Sequence, residues 1–215
     1  VLAPTPSELD AFTAGLRSLR GYLGDRAPEQ LERARLRLSA ARYDVARLEG
    51  RYLYLGEIAP RNGWGTYVLD EETPRGLLVE VPAPLDEWAT MESGAFLFKV
   101  FDARAFSISS GGGRFEETEG PAALSTRRTF FDAFHRVFAA QDVLEVRGYS
   151  AGVVRSLYGR QPGRGSLEFP DIPSSLWVKS QLPPGLSLSL LKDLVKDIRV
   201  EWRSPSFKNL EREAT

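Results

Sequence analysis

Cysteine is absent from the 215-residue chain, and histidine occurs only once, as His135. The missing thiols exclude a disulfide framework, a cysteine nucleophile and a cysteine-ligated zinc site. The single histidine excludes a histidine-rich metal centre built from this chain alone, because zinc takes about three protein ligands in catalytic sites. We therefore expect no metal and no cofactor.

An excess of charge of one sign and long apolar runs are also missing. The 28 basic and 29 acidic residues leave a net charge of -1, so no overall field attracts nucleic acid or an anionic membrane surface. No apolar run approaches the roughly 18 residues of a membrane span, and we expect none in this chain. The chain starts at Val1 rather than Met, which suggests a missing upstream segment and leaves an extracytoplasmic location open.

The first fifty residues carry a helical pattern. We predict a linker over residues 1–6 and a helical hairpin over residues 7–50, with Ser7 as the N-cap. Apolar residues recur there at intervals of three and four and predict a stripe that must be covered, with members at Leu16, Leu19, Leu38 and Val45. We expect this stripe to pack on the rest of the chain or to pair with another chain.

Strand and helix patterns alternate over residues 51–215, which we predict to be one α/β domain. Strands are expected at 52–55, 66–69, 77–81, 103–108, 143–147, 176–179 and 198–202. Helices are expected at 86–100, 126–140 and 186–197. The predicted fold is therefore a mixed or mostly parallel sheet flanked by helices and preceded by the helical hairpin.

Carboxylates near strand ends are the first candidate functional groups. Glu80 and Glu145 lie in two of the predicted strands, and Asp86 follows the first of these strands. Two carboxylates can hydrolyse a glycosidic bond without metal, whereas the structural alternative is a salt bridge or a helix cap. His135 lies in an aromatic helix, and we expect it to be partly buried and hydrogen-bonded, because the sequence identifies no catalytic partner for it.

Two tryptophans lie in predicted loops, which makes them candidates for binding. Trp64 follows a glycine turn, and Trp88 follows a proline-rich loop. An exposed tryptophan can stack on a sugar ring or fill a pocket of a partner protein. The alternative for both residues is ordinary packing in the core.

Several short segments together resemble a bacterial family of predicted zinc-peptidase-like hydrolases, which are carboxypeptidase-like. In that family a strand ends in E-x-P-H-P and is followed by Asp and Thr. Further along the chain come an Arg, an aromatic helix, a strand ending in Q-x-H-G-F and an Asn-Arg pair. The matching segments here are EVPAPLD at 80–86, Thr90, Gly113 with Arg114, TFFDAFH at 129–135, EVRGY at 145–149 and NLER at 209–212. The resemblance covers about residues 52–212.

Two positions depart from the family pattern. Ala83 and Arg147 stand where the family has metal-ligand histidines. Alanine offers no ligand atom and a guanidinium repels a metal ion, so the resemblance implies a scaffold without the metal chemistry. It also implies that the residues matching the motifs bind a ligand, and the candidates are Glu80, Asp86, Arg114, Glu145, Arg147, Asn209 and Arg212.

The resemblance thus favours a pseudoenzyme, a non-catalytic scaffold or binding domain within a larger envelope or polymer-processing system. Its partner would be another protein or an anionic peptide or glycan, held in an electropositive cleft at the strand ends. We expect that cleft to be lined by Glu80, Ala83, Asp86, Arg114 and Arg147, unless Arg147 closes it by pairing with Glu80 or Asp86. Two alternatives remain: a metal-independent hydrolase of a glycan or peptide that uses its carboxylates, and a structural module in which the arginine-rich hairpin forms homo-oligomers.

Overall fold

The computed structural model describes residues 3–85, 87, 90–110, 129–139 and 142–148, and the backbone at 175–178 and 199–202. In this part of the chain two helices lead into a mixed sheet, whose parallel strands are linked by two further helices. The elements are α1 (Pro6–Asp25), α2 (Pro28–Ala40), β1 (Tyr43–Leu48), β2 (Tyr52–Glu57), β3 (Thr66–Asp70), β4 (Leu77–Val81), α3 (Thr90–Val100), β5 (Ala105–Ile108), α4 (Phe130–Phe138), β6 (Asp142–Glu145), β7 (Ser175–Val178) and β8 (Arg199–Trp202). The predicted α/β class with an N-terminal helical pair is confirmed.

The large sheet has six strands in the order β1-β2-β3-β5-β4-β6. The pairs β1–β2, β2–β3 and β3–β5 are antiparallel, whereas β4 pairs parallel with both β5 and β6. The sheet is therefore mixed. β7 and β8 form a separate two-stranded parallel sheet, and the helix predicted between them at 186–197 lies outside the described residues.

The two crossover helices lie on opposite faces of this sheet. The chain moves from β4 to β5 in one direction and then from β5 back across β4 to β6 in the other. Because parallel crossovers are right-handed, reversing the direction places the second helix on the opposite face. Accordingly, α4 packs over Leu78 and Ala105, whereas α3 packs over Val79 and Phe106, which alternate with them along β4 and β5.

Helix α1 starts earlier than we predicted. Thr5 is the N-cap: its hydroxyl accepts a hydrogen bond from the Glu8 backbone N–H at 3.2 Å, and the Glu8 carboxylate accepts one from the Thr5 backbone N–H at 2.8 Å. Pro6 occupies the first turn, where its missing N–H costs nothing. The prediction of Ser7 as the cap was therefore wrong, and α1 includes Pro6 of the segment 1–6 that we predicted as a linker.

The helical hairpin ends ten residues before the predicted boundary at residue 50. Helix α2 stops at Ala40, and residues 43–48 form β1 instead of continuing the helix. Val45 fits helical spacing after Leu38 and Ala41, but it also alternates with Tyr43 along a strand. Pairing of β1 with all six residues of β2 decides between the two patterns, because it satisfies the backbone of both strands.

The hairpin and the sheet share one hydrophobic core. Leu16, Leu19, Leu38 and Val45 are all buried, which confirms that the apolar stripe packs on the body of the protein. A chain of ring contacts forms the centre of this core and links Phe12, Tyr43, Tyr67, Phe130 and Phe134. A smaller core on the opposite face joins α3 to β4 and β5.

Candidate functional site

The carboxyl ends of the three parallel strands bring polar residues together. Glu80 in β4 is in register with Ser107 in β5 and with Glu145 in β6. Residues in register on neighbouring strands point to the same face of a sheet, which here is the face covered by α4. The predicted neighbourhood of Glu80 and Glu145 is thus present, and Ser107 joins it.

His135 on α4 contacts the row formed by Glu80, Ser107 and Glu145, which we call the polar row. Its Nδ1 lies 2.9 Å from Glu80 Oε2, and the Ser107 hydroxyl donates to Glu80 Oε1 at 3.2 Å. Glu80, Ser107 and His135 are 2%, 0% and 5% exposed, so the contacts lie inside the protein. His135 is therefore buried and hydrogen-bonded, as we expected, and Glu80 is the partner that the sequence did not identify.

Arg147 lies just beyond β6 and binds two carboxylates. Its Nε contacts Glu87 Oε1 at 2.9 Å and Oε2 at 3.1 Å, and its Nη2 contacts Glu87 Oε1 at 2.5 Å. Its Nη1 donates to Glu145 Oε1 at 3.1 Å. Arg147 thus closes its part of the strand edge with ion pairs to Glu87 and Glu145. Of the two partners that we predicted for it, Asp86 lies outside the described residues.

The charge balance of the described site is negative. Glu80, Glu87 and Glu145 provide three carboxylates, against the one guanidinium of Arg147. Burial lowers the pKa of Arg147, but the hydrogen bonds and charge of Glu87, followed by those of Glu145, outweigh burial and raise the pKa above its ordinary value. Arg147 is therefore a permanent cation held by internal anions. Asp86 and Arg114 lie outside the described residues, so the electropositive cleft stays a prediction.

Glu80 also affects the core beneath the site. Burial raises the pKa of the Tyr67 hydroxyl well above its ordinary value, and the nearby charges of Glu57 and Glu80 add smaller increments. The Tyr67 ring stacks on Phe134, one residue before His135 in α4. The polar row at the strand ends is thus continuous with the aromatic core.

The structure brings four of the predicted cleft and ligand-binding residues to one edge of the sheet. Glu80, Glu145 and Arg147 lie as described, and Ala83 is linked to them because its carbonyl accepts the Glu87 backbone N–H at 3.0 Å. The other candidates lie outside the described residues; these are Asp86, Arg114, Asn209 and Arg212. Within the described part of the chain, no three His, Cys, Asp or Glu side chains form a group suited to a metal ion.

The two tryptophans considered for binding have different outcomes. Trp64 is 9% exposed, and its ring makes an edge-on contact with Phe130 at a centroid distance of 4.9 Å. It therefore packs in the core, which was the alternative to a binding role. Trp88 lies outside the described residues.

Glu87 and Ser107 are the site residues that the sequence did not reveal as such. Glu87 follows Asp86 directly, so the proline-rich loop offered two carboxylates and no pattern to separate them. Ser107 becomes significant only through its register with Glu80, and register between strands 27 residues apart has no local sequence signal. His135 had no visible partner for the same reason.

Comparisons of the chain with family models, with curated proteins and with solved structures find no match. Among the described residues, no helix has both the length and the apolar character needed to cross a membrane.

Proposed function

We propose that this chain is a non-catalytic binding domain, a pseudoenzyme on a metallohydrolase-like fold. The proposal rests on the resemblance of its motifs to the zinc-peptidase-like family, and one observation supports it. Arg147, which stands where that family has a metal-ligand histidine, extends its guanidinium into the carboxylates of Glu87 and Glu145. A fixed internal cation there balances carboxylate charge that a metal ion would balance in an active hydrolase.

The partner in this proposal is another protein, or a peptide or glycan, within a larger envelope or polymer-processing system. The preference for an anionic ligand depended on an available guanidinium at Arg147. That guanidinium is bound by Glu87 and Glu145, so Arg147 gives no support to an anionic ligand over a neutral one. Arg114 keeps its role in the proposal as a candidate for anion binding.

The carboxylate hydrolase is the weaker candidate. A glycosidase needs one carboxyl group that protonates the leaving oxygen and a second that reaches water or the sugar. The Glu80 side chain is 3% exposed and bound to His135, and Glu145 is 17% exposed and bound to Arg147. Hydrolysis of a peptidoglycan fragment or peptide by the wild type, lost in Glu80→Gln, would favour this candidate instead.

The oligomerisation module is also a weaker candidate. It would join chains through the arginine-rich hairpin, with the apolar stripe as one surface that a second chain could cover. The stripe of the hairpin is covered by the sheet of its own chain, which leaves mostly charged side chains on the outside of α2. A monomeric mass by light scattering would be expected on this view, and a stable dimer would revive the module.

Restoring the two histidines tests the pseudoenzyme directly. We expect the Ala83→His/Arg147→His variant to bind about one zinc ion, because two imidazoles and the nearby Glu87 carboxylate supply three ligands. Wild type and the matched Ala83→Gln/Arg147→Gln variant should retain none after dialysis against a chelator, as measured by elemental analysis. Stoichiometric zinc in the wild type would contradict the proposal, and equal zinc uptake by the two double variants would remove the support of the resemblance.

A further inference from the structure

All three nitrogens of the Arg147 guanidinium are held by carboxylates. Nε and Nη2 face Glu87, and Nη1 faces Glu145 on the neighbouring side. Side-on pairing of two nitrogens with one carboxylate is a geometry available to a planar guanidinium and not to the ammonium group of lysine. The arrangement of the two carboxylates therefore matches the planar shape of a guanidinium as well as its positive charge.

Glu87 is fixed by groups other than the guanidinium. Its Oε2 accepts the Gly148 backbone N–H at 2.8 Å, and its own backbone N–H donates to the Ala83 carbonyl at 3.0 Å. The Thr90 hydroxyl donates to the Glu87 carbonyl at 2.8 Å. The Gly148 contact anchors the carboxylate itself, and the Ala83 and Thr90 contacts fix the Glu87 backbone between the loop and the start of α3.

Glu145 has a separate anchor. It belongs to β6, where it is in register with Glu80 of the central strand. The two acceptors of the guanidinium thus come from two different structural elements. The Gly148 N–H holds the Glu87 carboxylate, and strand pairing fixes the backbone of Glu145; both contacts would persist without the arginine side chain. A receptor whose acceptors are fixed in advance loses little entropy when a cation enters.

We propose that the carboxylates of Glu87 and Glu145 form a guanidinium-binding site, in which the Gly148 N–H holds the Glu87 carboxylate in place, and that the chain fills this site with its own Arg147. We name these three groups the guanidinium clamp. The bound guanidinium is the observation that distinguishes the clamp from a mere cluster of acidic residues. In the native protein Arg147 closes this part of the strand edge to other cations, and an arginine side chain of a partner could enter only by displacing it. This inference goes beyond the proposed function, since it holds whatever the ancestry of the domain.

Chemical rescue of Arg147→Ala tests the clamp. The truncation empties the site while the acceptors stay, and methylguanidinium supplies the missing group in solution. We expect up to about 50 mM methylguanidinium, well below denaturing concentrations, to raise the melting temperature of this variant. At about ten times the dissociation constant the rise should be about 3 to 6 °C for a chain of this size. Methylammonium at the same ionic strength should give less than a third of that rise.

Three controls make the result specific. Wild type should not be stabilised, because Arg147 already fills the clamp. The Glu87→Gln/Arg147→Ala variant should lose the rescue, because the bidentate acceptor is gone. Arg136→Ala should show none, because that arginine is 53% exposed and forms an ordinary helix-surface pair with Asp132.

The proposal fails if methylguanidinium stabilises Arg147→Ala no more than methylammonium does, or no more than it stabilises Arg136→Ala. If Arg147→Ala does not fold alone, the refolding yield with and without methylguanidinium gives the same decision, and Arg147→Gln serves as a milder variant. A rescued Arg147→Ala that binds no zinc leaves the pseudoenzyme proposal intact. Zinc in the wild type contradicts that proposal without affecting the clamp.

Discussion

The buried contact between Glu80 and His135 leads to a quantitative prediction about stability. Glu80 accepts hydrogen bonds from Ser107 and His135 in a region where all three residues are at most 5% exposed. Replacing Glu80 with leucine leaves both partners without this acceptor. A buried polar group that loses a hydrogen-bond partner costs roughly 1–3 kcal/mol, so the two losses together cost about 2–6 kcal/mol. Burial of the leucine side chain offsets part of this, and we expect a net loss of about 3 kcal/mol.

His135→Leu should be at least as damaging as Glu80→Leu. It leaves the Glu80 carboxylate buried with the Ser107 hydroxyl as its remaining described hydrogen-bond donor. Removing one partner of a buried charged pair typically costs about 3–5 kcal/mol. The double variant Glu80→Leu/His135→Leu removes the charge and the imidazole together, so only Ser107 loses a partner and the loss should fall to about 1–3 kcal/mol.

Urea unfolding of the wild type, the two single variants and the double variant completes a double-mutant cycle. The two single losses add to about 7 kcal/mol, whereas the double variant should lose about 2 kcal/mol, so we expect a coupling energy well above 2 kcal/mol. Ser107→Ala serves as a control that perturbs Glu80 without touching His135. A coupling energy below about 0.5 kcal/mol would show that the two side chains act independently and would refute the reasoning.

Two further predictions concern other parts of the fold. Burial raises the pKa of Asp70, but hydrogen bonds from Arg51 and from backbone N–H groups outweigh it, and the net pKa lies below the ordinary value of 3.8. A lowered pKa adds stability that is present above the ordinary pKa and lost as the pH falls through the folded value, so the melting temperature of the wild type should drop between about pH 4 and pH 2. Asp70→Asn should flatten this acid limb in a thermal scan against pH, and an unchanged limb would contradict the assignment. On the other face of the sheet, a Cβ added at Gly94 would lie 2.4 Å from Val81 Cγ2. Gly94→Ala should therefore cost about 1–3 kcal/mol in thermal unfolding. It should cost much less in a Val81→Ala background, and equal losses in both backgrounds would count against the contact.

The sequence predicted the positions of the strands better than it predicted how the strands pair. Short runs of apolar and β-prone residues bounded by turn residues identified β2, β3, β4 and β5 to within a few residues. The pattern was ambiguous at Val45, where a period of 3.6 and a period of two agree over a few residues. Pairing with β2 settled that choice, and pairing is a property of the folded sheet rather than of a local segment.

The candidate site was predictable only in outline. Strand ends pointed to Glu80, Glu145 and Arg147, and the topology does bring them to one edge. Their partners depended on the sheet register and on the course of the loop after β4, neither of which a single sequence encodes locally. For Arg147 the sequence left open an external anion or an internal ion pair, and it did not identify Glu87 and Glu145 as the internal acceptors.

The shared core has a consequence for how the chain can be divided. A cut after residue 50, the predicted end of the helical hairpin, would remove β1 together with α1 and α2. The remaining sheet would begin with β2 as a bare edge, and Leu53 and Leu55 would lose the hairpin that keeps them at 0% exposure. Such an edge beside an uncovered apolar face is a template for aggregation. The hairpin is thus an integral part of the α/β body rather than a separable segment. Amide protons deep in α1 should therefore exchange with solvent only when the whole unit opens.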